Sequence, residues 1–382
     1  MSKGVALNSK RKFIVDARGG SEWIGGLYYR RNVMLSLSLN RDFTGAFDMR
    51  VLAPADSMSL FSEIDGVKAV GIDGPIGKLS GYGGLMVEKS CLFPAHPGKL
   101  LALARRAKPI YWIPDFQEEH YPEYFDKEEI ESRRANNHKV ADSDGLLVLS
   151  SQSCLDDFER FYPGHNCRTC ILHFVSYIEP ELKALTPAFE GKVLRKYGLI
   201  GGAYFVVANQ FWQHKNHRVV LDAMEELAQR GVTARFVFTG EPRDYRFPAY
   251  IDEIKTKMDP FIANGQLTVT GFIDRGEQLA LLKNARAVVQ PSLFEGWGTV
   301  LEDSKVLDKD VLLSDIPVHR EQMTERCRLF DPASAGALAD GVEACLSTKS
   351  TSSVEAGMAD AQRRAAGYSK GLVSELLNWR CQ

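Results

Sequence analysis

Short apolar runs alternate along the chain with longer stretches in which apolar residues recur every three to four positions. The first kind reads as buried strand and the second as amphipathic helix. Residues 13–15, 49–52, 67–70, 109–113 and 145–150 predict the strands of a first series. Helices are predicted from Leu27, behind the pairs Gly19-Gly20 and Gly25-Gly26, and over 100–106 and 153–161. The stretch 179–198 is more polar, carries Pro180 and Pro187, and reads as a connection. A second series follows, with strands at 204–208, 235–238, 267–269, 287–289 and 311–313. Its first helix, 216–230, carries Val220, Met224 and Leu227 on one face, with Gly231 as a stop. The last helices run over 335–379.

Two successive βα series in 382 residues exceed what one core usually holds. The fold class is therefore α/β, with two Rossmann-like, doubly wound domains facing a central cleft. Boundaries are expected at 1–185 and 186–360. Ligands of such sheets bind beyond the carboxyl ends of strands, so the loops that follow strands are where chemistry is sought.

The loop after 287–289 is the richest. Glu295 and Asp303 bracket seven residues that include Gly296, Trp297, Gly298 and Thr299. The spacing reads as strand, glycine loop and helix. Backbone amides at the helix start, from Gly298 to Leu301, form a candidate anion site. On a helical wheel, Asp303 falls roughly 50° from the centre of the apolar side and Glu302 roughly 150° away. Asp303 therefore needs a partner, either ribose hydroxyls or a buried backbone bond, while Glu302 reads as a solvated first-turn acid.

A second loop, after 204–208, runs from Asn209 to Arg218 and puts His214, Lys215, His217 and Arg218 at a helix start. Cations there oppose the helix dipole unless an anion binds between them and the helix, as a diphosphate would. An exposed basic turn is the plainer alternative, above all for His217 and Arg218. A third loop, 19–27, has glycines but not the spacing or the acid of a dinucleotide fingerprint. A fourth, after 109–113, gathers Asp115, Gln117, Glu118, Glu119 and His120. These suit acid–base work, sugar hydroxyls or a plain surface. Asp142-Ser-Asp144 precedes a strand and reads as a solvated turn.

Composition adds limits. The net charge of −2 gives no field for nucleic acid or an anionic membrane, and the pairs Arg30-Arg31 and Arg105-Arg106 read as solvated surface. Seven scattered cysteines point to a reducing compartment, and Cys167 and Cys170 lack the second pair that zinc requires. No run reaches membrane-spanning length and no secretory layout opens the chain. A cytoplasmic protein is expected, with peripheral contact at the inner membrane face left open.

Together these residues resemble the retaining glycosyltransferases of family 4, within the group 1 glycosyl transferases, which have the GT-B fold. Residues 294–303 resemble the family's Glu-x7-Glu motif. Aligned without gaps, Glu295 takes the first acid, which meets the donor sugar. Asp303 takes the second, which meets the ribose, with Asp replacing Glu. Lys215 matches the diphosphate lysine, and Asn209 stands where the family carries arginine. Gly271, Phe272 and Ile273 resemble the segment whose backbone meets the base, and Gly25-Gly26 the loop beside the sugar phosphate. The loop of Asp115 and His120 resembles the family's catalytic His-Asp loop, with Pro114 where histidine is common.

The resemblance implies that residues 361–382 return to the N-terminal, acceptor-binding domain. It also implies retaining transfer of a hexose from a nucleotide sugar, with no metal or cofactor. A GDP-sugar, as for a mannosyltransferase, ranks ahead of a UDP-sugar. The acceptor is a saccharide or lipid-linked saccharide, in bacterial surface polysaccharide or O-antigen assembly. A GT-B sugar-nucleotide epimerase, an NAD(P) oxidoreductase and a non-catalytic nucleotide-sugar-binding module are the competing readings.

Overall fold

The computed structural model describes residues 10–18, 24–73, 90–97, 107–348 and 352–378. The chain forms two compact units. The first comprises Met1–Pro114, Lys127–Tyr177 and Arg363–Gln382, and the second comprises Asp115–Asp126 and Ile178–Gln362.

In the first unit the strands are β1 (Arg11–Asp16), β2 (Phe47–Ala53), β3 (Val67–Gly71), β4 (Ser90–Phe93), β5 (Ala107–Trp112), β6 (Leu146–Leu149) and β7 (Arg168–Ile171). They form one sheet in the order β3-β2-β1-β4-β5-β6-β7, and every adjacent pair is parallel. Parallel sheets are covered on both faces, which is why β6 is apolar and buried throughout. The principal helices are α1 (Ile24–Ser38), α2 (Lys127–Ala141) and α3 (Gln152–Phe161). Phe13 of β1 meets Phe43 edge-on at 5.2 Å, and Phe43 stacks on Phe47 at 4.6 Å.

In the second unit the strands are β8 (Phe205–Ala208), β9 (Phe236–Thr239), β10 (Leu267–Val269), β11 (Ala287–Gln290), β12 (Val311–Ser314) and β13 (Cys327–Phe330). Their order is β10-β9-β8-β11-β12-β13, again all parallel. The principal helices are α4 (Pro187–Lys196), α5 (His217–Gln229), α6 (Pro248–Ala263), α7 (Arg275–Asn284), α8 (Thr299–Val306), α9 (Pro317–Gln322), α10 (Ala335–Ser347) and α11 (Val354–Asn378). Val220, Met224 and Leu227 of α5 are buried with Phe236 and Phe238 in the core, and Gly231 adopts φ 72° just past the helix. Helix α11 starts in the second unit and ends in the first, where Glu375 pairs with Arg168 at 3.3 Å.

Several local expectations change. The division lies at Tyr177 and Ile178, not at 185 and 186. The stretch read as a polar connection is helical, with Glu179–Ala184 and α4 packed into the second unit, and Thr186 capping the amide of Phe189. Helix α1 spans Ile24–Ser38, so Gly25 and Gly26 are helical and not a loop. Residues 19–23 and the expected helix 100–106 lie outside the described residues, as does the pair Arg105-Arg106. Arg30 and Arg31 are buried, not solvated, and burial pulls the Arg30 guanidinium down to about 10. Asp142 and Asp144 are exposed. No helix among the described residues is long and apolar enough to cross a membrane.

Candidate functional site

In the second sheet β8 has β9 on one side and β11 on the other, so the strand order reverses at β8. A doubly wound sheet opens its ligand crevice at such a point, beyond the carboxyl ends of the two strands. The loops there are the ones that carry Asn209 and Lys215, after β8, and Glu295, after β11.

Hydrogen bonds join these two loops. Leu293 N–H donates to His214 O at 2.8 Å, and Asn216 Nδ2 donates to Pro291 O at 3.1 Å and Pro332 O at 2.9 Å. Asn216 is left-handed, at φ 55°, which turns the chain from a single 3-10 turn at Gln213–Lys215 into α5. The result brings Lys215 Nζ to 2.7 Å from Glu295 Oε1. The same oxygen accepts from Ser292 Oγ at 2.7 Å and Gln290 Nε2 at 2.9 Å. Gln290 Oε1 in turn accepts from Asn209 Nδ2 at 3.1 Å. Burial alone would raise the Glu295 carboxyl. The Lys215 charge, with the Lys215 and Ser292 hydrogen bonds, holds it below the ordinary range instead.

Beyond Glu295 the loop is held from behind. Gln322 Oε1 accepts from Gly298 N–H at 3.0 Å, while its Nε2 donates to Gly298 O at 2.8 Å and Glu302 Oε1 at 2.9 Å. The Gly298 amide is thus occupied. The amides of Thr299, Val300 and Leu301 precede the first helical bond, from Glu302 N–H to Gly298 O, and remain the anion-site candidates. Glu302 is fully buried and also pairs with Lys305 at 2.7 Å, which corrects its reading as a solvated acid. Asp303 is buried as the wheel requires, and its partner is Arg275 of α7. Nη1 and Nη2 of Arg275 donate to its two oxygens at 2.7 and 2.6 Å. Gly271 accepts from Gly240 N–H at 2.9 Å, and Phe272 beside it is 60% exposed. Ile273 is half-buried.

The segment Asp115–Asp126 lies in this unit as well. Asp115 Oδ1 accepts from Gln117 N–H at 3.2 Å, which opens a short helix at Gln117–His120. The His120 ring lies 5.2 Å from that of Phe294, the neighbour of Glu295. Gly25 and Gly26 sit in the first unit. His217 is buried against Phe211, and Arg218 pairs with Glu253 at the surface.

Residues 195–362 match the family of glycosyl transferases group 1, and every second-unit residue just described other than Asp115–His120 lies inside that span. This part of the chain resembles a group 1 glycosyltransferase domain. HepE of Anabaena, solved with UDP and glucose, superposes with a TM-score of 0.70 at 15% identity, over 96% of this chain and 100% of that one. A glycosyltransferase from Rickettsia africae superposes with a TM-score of 0.67 at 14% identity, over 97% and 98%. WaaG, a glycosyltransferase of lipopolysaccharide biosynthesis, gives 0.57 at 12%, over 94% and 95%. The chain therefore has the GT-B fold. No curated protein matches it significantly in sequence.

Sequence reasoning missed Gln290, Ser292, Arg275, His319 and Gln322 of this candidate site. Gln290 had a signal, being a polar residue that closes an apolar strand at its carboxyl end. Among the described residues no group of three His, Cys, Asp or Glu could hold a metal ion.

Proposed function

We propose that the protein is a retaining glycosyltransferase that moves a hexose from a nucleotide-diphosphate sugar to a saccharide acceptor, without a metal. The observation that carries this is the Lys215–Glu295 pair at the carboxyl ends of β8 and β11, inside the stretch that matches the family. Lys215 and the α8 amides face the diphosphate, whose charge grows as the glycosidic bond breaks. Preorganised charge aimed at that oxygen lowers the barrier more than it tightens ground-state binding. Glu295 meets the hydroxyls of the sugar, and Asp303 with Arg275 borders the ribose. Phe272 and its neighbours meet the base through their backbone. Asp115 and His120, in the segment beside Phe294, meet the sugar or the incoming hydroxyl. The acceptor proton leaves on the departing phosphate, so the protein mainly positions reactants.

The uridine nucleotide in HepE makes a UDP-hexose the first donor to test, with a GDP-hexose as its competitor. Surface polysaccharide assembly, with a saccharide or lipid-linked saccharide acceptor, is the context that WaaG supports. The test incubates the full chain with UDP-glucose or GDP-mannose, with and without saccharide acceptors. Transfer with retained anomeric configuration, read by NMR, is expected only when acceptor is present. Conversion of donor to an epimer without acceptor would replace this reading with the epimerase. Binding without transfer or slow hydrolysis would leave a binding module.

A further inference from the structure

Behind the Glu295 loop stands a histidine to which the proposed function gives no role. His319, in α9 just after β12, is fully buried. Its Nδ1 lies 2.9 Å from Ser314 O and 3.0 Å from Ser314 Oγ. The Ser314 hydroxyl already donates its one proton to Ser292 O at 2.6 Å. A carbonyl only accepts, so the shared proton must sit on the imidazole Nδ1. Nε2 then presents a lone pair. That atom is buried and has no hydrogen-bond partner among the described residues. It lies 3.9 Å from where a β-carbon on Gly298 would stand, so it faces the turn between Glu295 and α8. Burial lowers the imidazole pKa, and the neutral form is the one that accepts.

An unmade buried acceptor is destabilising, and proteins retain such groups where a ligand completes them. Ser314 also links this ring to the known cluster, because the Ser292 that accepts from Ser314 donates to Glu295. Among the described residues, the three donors to the Glu295 carboxylate all converge on Oε1. The turn therefore offers two neighbouring acceptors, Glu295 and His319.

We propose that His319 is a donor-sugar-binding residue whose Nε2 accepts a hydrogen bond from one hydroxyl of the transferred hexose, beside the hydroxyl held by Glu295. This rests on the nucleotide-sugar reading above. A neutral acceptor cannot engage an ether, a carbonyl or a phosphate at that position. The site thus selects a hexose with free hydroxyls at two positions.

Calorimetric titration of the full chain with UDP-glucose and UDP, and with GDP-mannose and GDP, tests it. For the pair that binds wild type, His319→Phe should weaken the nucleotide sugar about tenfold and the bare nucleotide by less than about threefold. His319→Gln, which can return an acceptor near Nε2, should recover most of the loss. In wild type, two of the 2-, 3-, 4- and 6-deoxy donors should each lose about tenfold, and one of these should lose nothing further in His319→Phe. Equal loss for sugar nucleotide and bare nucleotide overturns the proposal, as does fully additive loss. Should His319→Phe not fold, the wild-type deoxy series decides, and sensitivity at fewer than two positions overturns it. Failure of wild type to bind any nucleotide sugar strikes the proposed function instead.

Discussion

His217 stacks on Phe211 with ring centroids 4.1 Å apart and meets Phe238 edge-on at 5.3 Å. Neither ring nitrogen has a hydrogen-bond partner among the described residues. Burial, with the Lys215 charge, pulls its pKa to about 3. The unfolded chain binds a proton below its ordinary pKa of about 6.5, while the folded chain does not. Stability is therefore lost as pH falls from about 6.5 toward 3, by roughly 3 kcal/mol at pH 4. His217→Phe should raise stability by about 1 kcal/mol at pH 7 and by more at pH 4. Urea unfolding at both values checks this, and a pH-independent gain would contradict the titration. At Lys215 the expectation is kinetic. Lys215→Ala should lower turnover about 10²-fold at saturating donor, the scale of one lost preorganised charge contact. Wild-type turnover there would remove Lys215 from the diphosphate.

Helices α7 and α8 are tied by the Arg275–Asp303 pair, whose carboxylate is 2% exposed and guanidinium 17%. Removing one partner of a buried pair leaves a charge uncompensated. Asp303→Asn should therefore cost about 3 kcal/mol in denaturant unfolding, apart from any effect on donor KM. An apolar double replacement, Arg275→Met with Asp303→Leu, should recover most of it. Unchanged stability in the single variant would show the pair to be dispensable. Helix α11 approaches the end of α8 through Gly357, where a β-carbon would stand 2.2 Å from Val306 O and 2.7 Å from Lys305 O. Backbone cannot rotate away, so Gly357→Ala should cost about 2 kcal/mol or more. Gly367→Ala in the same helix meets nothing within 4 Å and should instead stabilise by about 0.5–1 kcal/mol. Thermal unfolding of the two variants compares them directly, and shifts of the same sign would refute the close approach.

For the whole molecule, a ligand that binds only the folded chain stabilises it by mass action. Among UDP-, GDP-, ADP- and dTDP-sugars, the true donor at about ten times its Kd should add roughly 1–2 kcal/mol. No shift with any of the four in a thermal melt would refute nucleotide-sugar binding. The family match ends at residue 362, where the second unit also ends. That unit holds Asn209, Lys215, Glu295 and Asp303, together with the segment that bears Asp115 and His120, while Gly25 and Gly26 lie in the first unit.

Strands such as β6 and β8 are legible from apolar runs because a strand covered on both faces is apolar on both. The three unread strands, β4, β7 and β13, are four residues each, and β7 and β13 mix charged with apolar positions. Helix α2 was unread because its few buried residues, Asn137, Val140 and Ala141, cluster at one end and make no stripe. The sequence by itself also determined the glycine loop with its two acids and the burial of Asp303, since spacing along one helix reports its faces. It could not report Glu302, whose burial depends on Gln322, twenty residues away. Nor could it report the Lys215–Glu295 bond, which spans 80 residues. Periodicity describes a single element, whereas the site exists because β11 lies beside β8. Only the tertiary structure decides strand order, and with it which loops share a crevice and which buried polar groups find partners.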